Sequence, residues 1–87
     1  MNPSTAPTMH VKIYAPFKTY YDEPAYSVSA KNRTGAFDVL PHHKNFMTLL
    51  LPGDVIVRTP GKEDFVQPIT RGIMHVKADE ITVFLDV

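Results

Sequence analysis

Apolar residues fall at every second position through most of this 87-residue chain, and eight prolines are spread along it. Together these leave no window for a long helix and point to strands. Val11, Ile13 and Ala15 share one face of a half-buried strand, with Lys12 and Tyr14 opposite. Tyr26, Val28 and Ala30 alternate with Ser27 and Ser29, and Val55, Val57 and Thr59 alternate across Ile56 and Arg58. The same period runs through Phe65-Val66-Gln67, Ile73-Met74-His75-Val76 and Ile81-Thr82-Val83-Phe84-Leu85. Turn chemistry separates these runs at Asp22-Glu23-Pro24, Asn32-Arg33-Thr34-Gly35, Pro52-Gly53-Asp54, Thr59-Pro60-Gly61-Lys62 and Lys77-Ala78-Asp79. About seven to ten short strands with turns this frequent imply a mostly antiparallel sandwich or barrel. The stretch from His42 to Leu51 is the only one that could be helical, and its leucine triplet Leu49-Leu50-Leu51 fits a buried strand equally, because so short a run has no decisive period; a loop leading into a strand is expected there.

Length allows one domain, with residues 1–8 expected as a disordered leader and residues 9–87 as the folded unit. Lys plus Arg and Asp plus Glu both number nine. That balance provides no net field to attract nucleic acid or an anionic membrane. The absence of cysteine removes disulfides, thiolate zinc ligands and thiol nucleophiles together. No apolar run approaches the length of a membrane span. Residues 1–8 also lack the basic start and apolar centre of a secretory signal, so a cytoplasmic protein is expected.

The candidate chemical groups favour plain readings. A metal site needs ligands converging on one point, whereas the adjacent His42 and His43 would face opposite sides of a strand, with His10 and His75 elsewhere in the chain. The carboxylate pairs Asp22-Glu23, Glu63-Asp64 and Asp79-Glu80 are expected in solvated turns, which do not displace a carboxyl pKa as acid catalysis requires. Ser27 and Ser29 lack a nucleophile elbow, and the four glycines stand too far apart for a phosphate loop. Tyr14, Phe17, Tyr20, Tyr21 and Tyr26 crowd near Lys12 and Lys18. With Asp22 and Glu23 beside them, they suit core and interface better than base stacking. No catalytic residue, metal or cofactor is therefore expected.

The most distinctive segment is Asn32-Arg33-Thr34-Gly35-Ala36-Phe37-Asp38-Val39-Leu40-Pro41-His42-His43. Gly35 permits a positive-φ turn, Phe37 and Val39 share a strand face, and Pro41 ends the strand so that both histidines stand in an exposed loop. Here the chain resembles the N-terminal β-sandwich domain of the ATP synthase epsilon subunit. Gly35, Val39, Pro41 and His43 match that family's Gly-x-x-Gly-(Ile/Val)-x-Pro-Gly-His pattern, with Pro52-Gly53 at the expected distance. Gly72 to Val76 and Ile81 to Leu85 resemble its final hairpin. Asp38, His42 and Arg71 stand where the family has glycines, and Ala36 where it often has an acidic residue that Asp38, two positions on, could replace.

The resemblance implies a flattened antiparallel β-sandwich of about eight to ten strands. It also implies a non-catalytic rotor subunit at the foot of the F1 central stalk, monomeric when isolated and peripheral on the cytoplasmic side of an energy-transducing membrane. Its partners would be the gamma subunit and the polar loops of the c-ring, and its task to couple ion flow to ATP synthesis. Ala36, Asp38, His42, His43 and Lys44 would form the c-ring docking loop, with Asn45, Met47 and Thr48 facing gamma. The family's C-terminal helical hairpin does not follow before Val87. If Val87 is the natural end, coupling and assembly are expected without the braking that the hairpin performs; if the chain is excised, nothing follows. A stand-alone β-sandwich binding module sharing the fold, and a small-barrel metalloenzyme, are the alternative readings.

Overall fold

Among the described residues two prolines sit within strands, and both lie where a sheet tolerates a missing N–H donor, on its edges. A computed structural model describes residues 7–86, so most of the expected leader, and Val87, lie outside the described residues. The described residues form nine strands and no helix: β1 (Met9–Ala15), β2 (Lys18–Ala25), β3 (Ser27–Asn32), β4 (Gly35–Val39), β5 (Phe46–Leu50), β6 (Gly53–Arg58), β7 (Phe65–Ile69), β8 (Gly72–Lys77) and β9 (Glu80–Leu85). They build a five-stranded sheet ordered β2-β1-β9-β8-β5 and a four-stranded sheet ordered β4-β3-β6-β7. Pro24 belongs to the edge strand β2 and Pro68 to the edge strand β7. The predicted sandwich is therefore present, with a loop leading into β5 where the sequence was ambiguous.

One sequence expectation is corrected. Asp22, Glu23 and Pro24 are not a turn but continue β2 to Ala25. The edge position explains this, because Asp22 and Pro24 can point to solvent while Tyr21 and Ala25 point inward. The register of β2 against β1 shifts between Ile13 and Tyr14, where Tyr21 pairs with Ile13 but Thr19 pairs with Tyr14. Tyr20 is the extra residue of this bulge. The bulge lets consecutive tyrosines both turn towards the core, Tyr21 buried and Tyr20 partly so, against the usual alternation.

The inward positions predicted from period two are the core. Val11, Ile13, Val28, Val57 and Val83 are fully enclosed, and Val55 nearly so. The tip of the β3–β4 turn is shaped by Asn32, whose Oδ1 accepts the Thr34 N–H (3.0 Å) and hydroxyl (2.7 Å), with Gly35 at φ +118°. At Gly72 the constraint is space, since a Cβ there would meet the Phe84 carbonyl oxygen at 2.8 Å. Only glycine lets β8 approach β9 so closely at that point.

One side of the sandwich closes where β2 meets β7. The Tyr21 hydroxyl donates to the Pro24 carbonyl (3.0 Å) and lies 2.9 Å from Thr59 Oγ1. Its ring packs on Phe65 at 5.1 Å. With the phenol proton given to Pro24, Thr59 is the donor in the second bond. Burial pushes the Tyr21 phenol above the ordinary tyrosine range, and the nearby Glu23 carboxylate adds to this, while Thr59 and Lys62 oppose it.

Two outcomes follow for the fold. Replacing Val28, Val55 or Val83 by Asp buries an unpaired charge and should cost several kcal/mol, out of a total of about 5–10 kcal/mol for a domain of this size. Urea titration of each variant checks this, and the midpoints should fall sharply or vanish. The raised Tyr21 pKa means the folded state holds the phenolic proton more tightly than the unfolded state. Its contribution is therefore complete below the unfolded value near 10 and lost as pH rises through the folded value. In a spectrophotometric titration, one of the four tyrosines should ionise after the others, together with alkaline unfolding, and Tyr21→Phe should remove that late step.

Candidate docking surface

The strand directions sort the connections to two ends of the sandwich. One end carries the loop at residues 40–45 between β4 and β5, the loop at residues 59–64 and the β8–β9 turn. The opposite end carries the β1–β2 and β3–β4 turns and the β5–β6 connection. Phe17 is fully exposed at the tip of the β1–β2 turn.

The loop at residues 40–45 crosses from one sheet to the other. Val39 ends β4 inside the core, and Leu40 is exposed. His42 adopts φ +68°, a left-handed conformation that non-glycine residues rarely take. Its N–H donates to Asp79 Oδ1 (2.8 Å), and its Nδ1 lies 3.5 Å from the other oxygen of the same carboxylate. The His43 N–H donates to the Leu40 carbonyl (3.2 Å), and its ring stands 5.0 Å from Phe46. Phe46 in turn packs edge-on against Phe37 at 6.1 Å, which fixes the root of the loop to the core. His42, His43 and Lys44 are all exposed at this end.

Ala36 and Asp38 lie apart from that loop tip, on the solvent face of β4. Asp38 accepts the Ser29 hydroxyl at 2.5 Å, and the Arg58 guanidinium donates to Ser29 Oγ (2.7 Å) and Ser27 Oγ (3.2 Å). The candidate docking residues thus divide into a loop set and a strand-face set. Asn45, Met47 and Thr48 also part company. The Asn45 Oδ1 accepts the Ala78 N–H (2.7 Å), and Thr48 Oγ1 accepts from Asn32 Nδ2 (3.1 Å). Met47 extends to solvent from the outer face of the five-stranded sheet, 66% exposed.

That outer face is the surface the sequence reading missed. Leu49 is 63% exposed and Leu51, Ile73 and Phe84 are 36–40% exposed. With Pro52 they border a shallow cleft of about 740 Å³. Tyr14 extends the face to β1, its ring edge-on to Phe84 at 5.2 Å. The leucine triplet is therefore not a buried strand: Leu50 points into the core and its neighbours point out. Period two was the available signal, since three consecutive strand residues cannot all face one core.

Four of the carboxylates have a basic side chain beside them. Asp22 pairs with His10, Glu23 with Lys62 (2.7 Å), Asp79 with His42 and Asp86 with Arg71 (2.8 Å). The Glu23 carboxylate raises the pKa of Lys62 through this contact. Among the described residues, no group of three or more His, Asp or Glu side chains is placed to hold a metal ion. Among the same residues, no helix is long and apolar enough to cross a membrane.

The described residues thus form a two-sheet β-sandwich with an apolar outer face and a pinned loop at one end. Residues 8–87 match the family model for the β-sandwich domain of the ATP synthase delta/epsilon chain, and the chain belongs to that family. An ATP synthase epsilon chain of Laribacter hongkongensis is 33% identical over 81 residues, 92% of this chain and 58% of that one. One from Desulfosudis oleivorans is 30% identical over 81 residues, 93% of this chain and 61% of that one. The chain thus spans about three fifths of these relatives' length. The fold also matches a chain of the Euglena gracilis mitochondrial ATP synthase, with a TM-score of 0.83 and 19% identity over 90% of this chain and 50% of that chain.

Proposed function

We propose that this chain is a non-catalytic central-stalk subunit of an F-type ATP synthase, linking the gamma subunit to the membrane c-ring and helping couple ion translocation to ATP synthesis. The observation that carries the reading is the apolar outer face formed by Met47, Leu49, Leu51, Ile73 and Phe84. Contiguous exposed apolar side chains of this kind mark a protein contact. Family membership and relatives named ATP synthase epsilon chain support the choice of partner. A further solved structure with this fold is a Tetrahymena thermophila mitochondrial ATP synthase central stalk with c-ring, at a TM-score of 0.78 and 20% identity over 91% of this chain and 63% of that chain.

The apolar face would take gamma, with Met47 at its margin. The loop with His42, His43 and Lys44 would meet the polar loops of the c-ring, and Ala36 and Asp38 would flank that contact on β4. Asn45 and Thr48 would support this arrangement through their bonds to Ala78 and Asn32. The subunit would be peripheral on the membrane, on the cytoplasmic side, and monomeric when isolated. It would need no cofactor, because the hydrolytic site belongs to other subunits.

Two measurements test this. The double variant Leu49→Lys/Ile73→Glu places opposite charges on a cross-strand pair of exposed side chains, so its stability should stay within about 0.5 kcal/mol of the parent. It should nevertheless lose co-purification with a gamma subunit from the same source; retained co-purification would remove the proposed gamma face. The triple variant Asp38→Ala/His42→Ala/His43→Ala should fold, and motors carrying it should keep ATP hydrolysis while ATP-driven ion pumping falls. Unchanged pumping would sink the docking role of the loop.

A further inference from the structure

Among the described residues, two non-glycine residues have positive φ: His42 at +68° and Ala78 at +54°. They lie far apart in sequence, one in the loop at residues 40–45 and one in the β8–β9 turn. The backbone N–H of each is taken by a side chain from the other segment. His42 donates to Asp79 (2.8 Å), and Ala78 donates to Asn45 (2.7 Å). A residue turned into the left-handed region points its N–H away from any strand ladder, so its donor needs a partner from elsewhere. Here each segment supplies the acceptor that the other lacks.

We infer that Asp79 and Asn45 are the positioning residues of the loop at residues 40–45, forming a reciprocal clasp that holds His42 in a conformation it would otherwise leave. The local bonds of the loop do not do this. His43 N–H to Leu40 O (3.2 Å) and His43 Nδ1 to Lys44 O (2.8 Å) tie the loop only to itself. The clasp instead grips it at residue 42 and at residue 45, and the His42 imidazole beside the Asp79 carboxylate (3.5 Å) reinforces the first grip. The turn offering these acceptors is anchored on its other side, where the Asp79 carbonyl accepts the His10 N–H (2.8 Å). Loop, hairpin turn and the start of β1 are thereby locked together. The consequence for coupling rests on the docking role proposed above; the clasp itself is a property of the lone chain.

Amide hydrogen exchange followed by NMR on the 87-residue chain separates the two. Asp79→Ala should speed exchange of the His42 amide about tenfold, the factor one net hydrogen bond is worth, and should also loosen Ala78. The amides of Val28, Val55 and Val83 should keep the parent rates. Asp79→Asn keeps an acceptor oxygen and should preserve most of the His42 protection. Adding His42→Gly to Asp79→Ala removes the conformational penalty and should restore Ala78 protection, because the loop can then hold its shape and present Asn45. The clasp is overturned if Asp79→Ala leaves the His42 amide unchanged, if core amides accelerate equally, or if His42→Gly gives no rescue at Ala78. In assembled motors, Asp79→Ala should lower ATP-driven pumping while hydrolysis persists. If exchange behaves as expected but neither Asp79→Ala nor the triple loop variant alters pumping, the clasp stands and the docking role of the loop falls.

Discussion

The parallel ladder between β1 and β9 is the constraint on which the rest of this protein depends. It runs from His10 opposite Glu80 to Tyr14 opposite Phe84, and it joins the first strand to the last in the middle of the five-stranded sheet. Without it that sheet is two separate hairpins, β1–β2 and β8–β9, the second carrying β5 at its edge. Paired strands with so little sheet around them are marginal in water. Closing the chain over this distance costs entropy before any contact repays it. The repayment is visible on the inner face, where Val11, Ile13, Ile81 and Val83 meet across the seam with essentially no exposure. The outer face depends on the same seam, because the Tyr14 and Phe84 rings meet edge-to-face across it. Core and apolar outer face are thus two sides of one long-range pairing.

What could be read from the residues alone was whatever the side-chain period decides. Alternation located most of the strands and put Val28, Val55 and Val83 inside, because one buried face per strand leaves no freedom in register. Strand β2 escaped because Asp22, Glu23 and Pro24 carry turn chemistry, and only its edge position makes that composition compatible with a strand. Sheet membership escaped for a similar reason. Nothing local distinguishes β5, which joins the five-stranded sheet, from β4, which does not. The leucine triplet shows the limit from the other direction: three consecutive apolar residues carry no alternation of their own, so which of them face outward is decided only once the opposite face is known to be the core.

The candidate site was half legible on the same principle. Pro41, ending the strand, marked His42 and His43 as standing in an exposed loop, and the family pattern singled out His43 within it. That His42 would be left-handed, and that Asp79 and Asn45 would offset this, requires the β8–β9 turn to lie beside the loop, a tertiary fact without local signature. Asp38 is the converse case. Its strand face was correctly read from the period, yet its partners Ser29 and, through it, Arg58 belong to neighbouring strands, so its role as part of a polar network on the four-stranded sheet was hidden.

The β8–β9 hairpin ties the loop to the apolar face. Its strands carry Ile73 and Phe84 on the outer face, and its turn carries Ala78 and Asp79 in the clasp. Strand β5 leaves the same loop and pairs with β8 in register, Met47 beside His75 and Leu49 beside Ile73. Any force that displaces the loop at residues 40–45 must therefore pull on β4, on β5 or on the hairpin turn, and of these β5 and the hairpin turn are tied directly to β8. Packed strands of this kind do not stretch; they move as a unit or the ladder breaks. The loop and the apolar face are consequently held at a fixed separation and angle, the mechanical property that the proposed role of transmitting torque between a ring and a shaft would require.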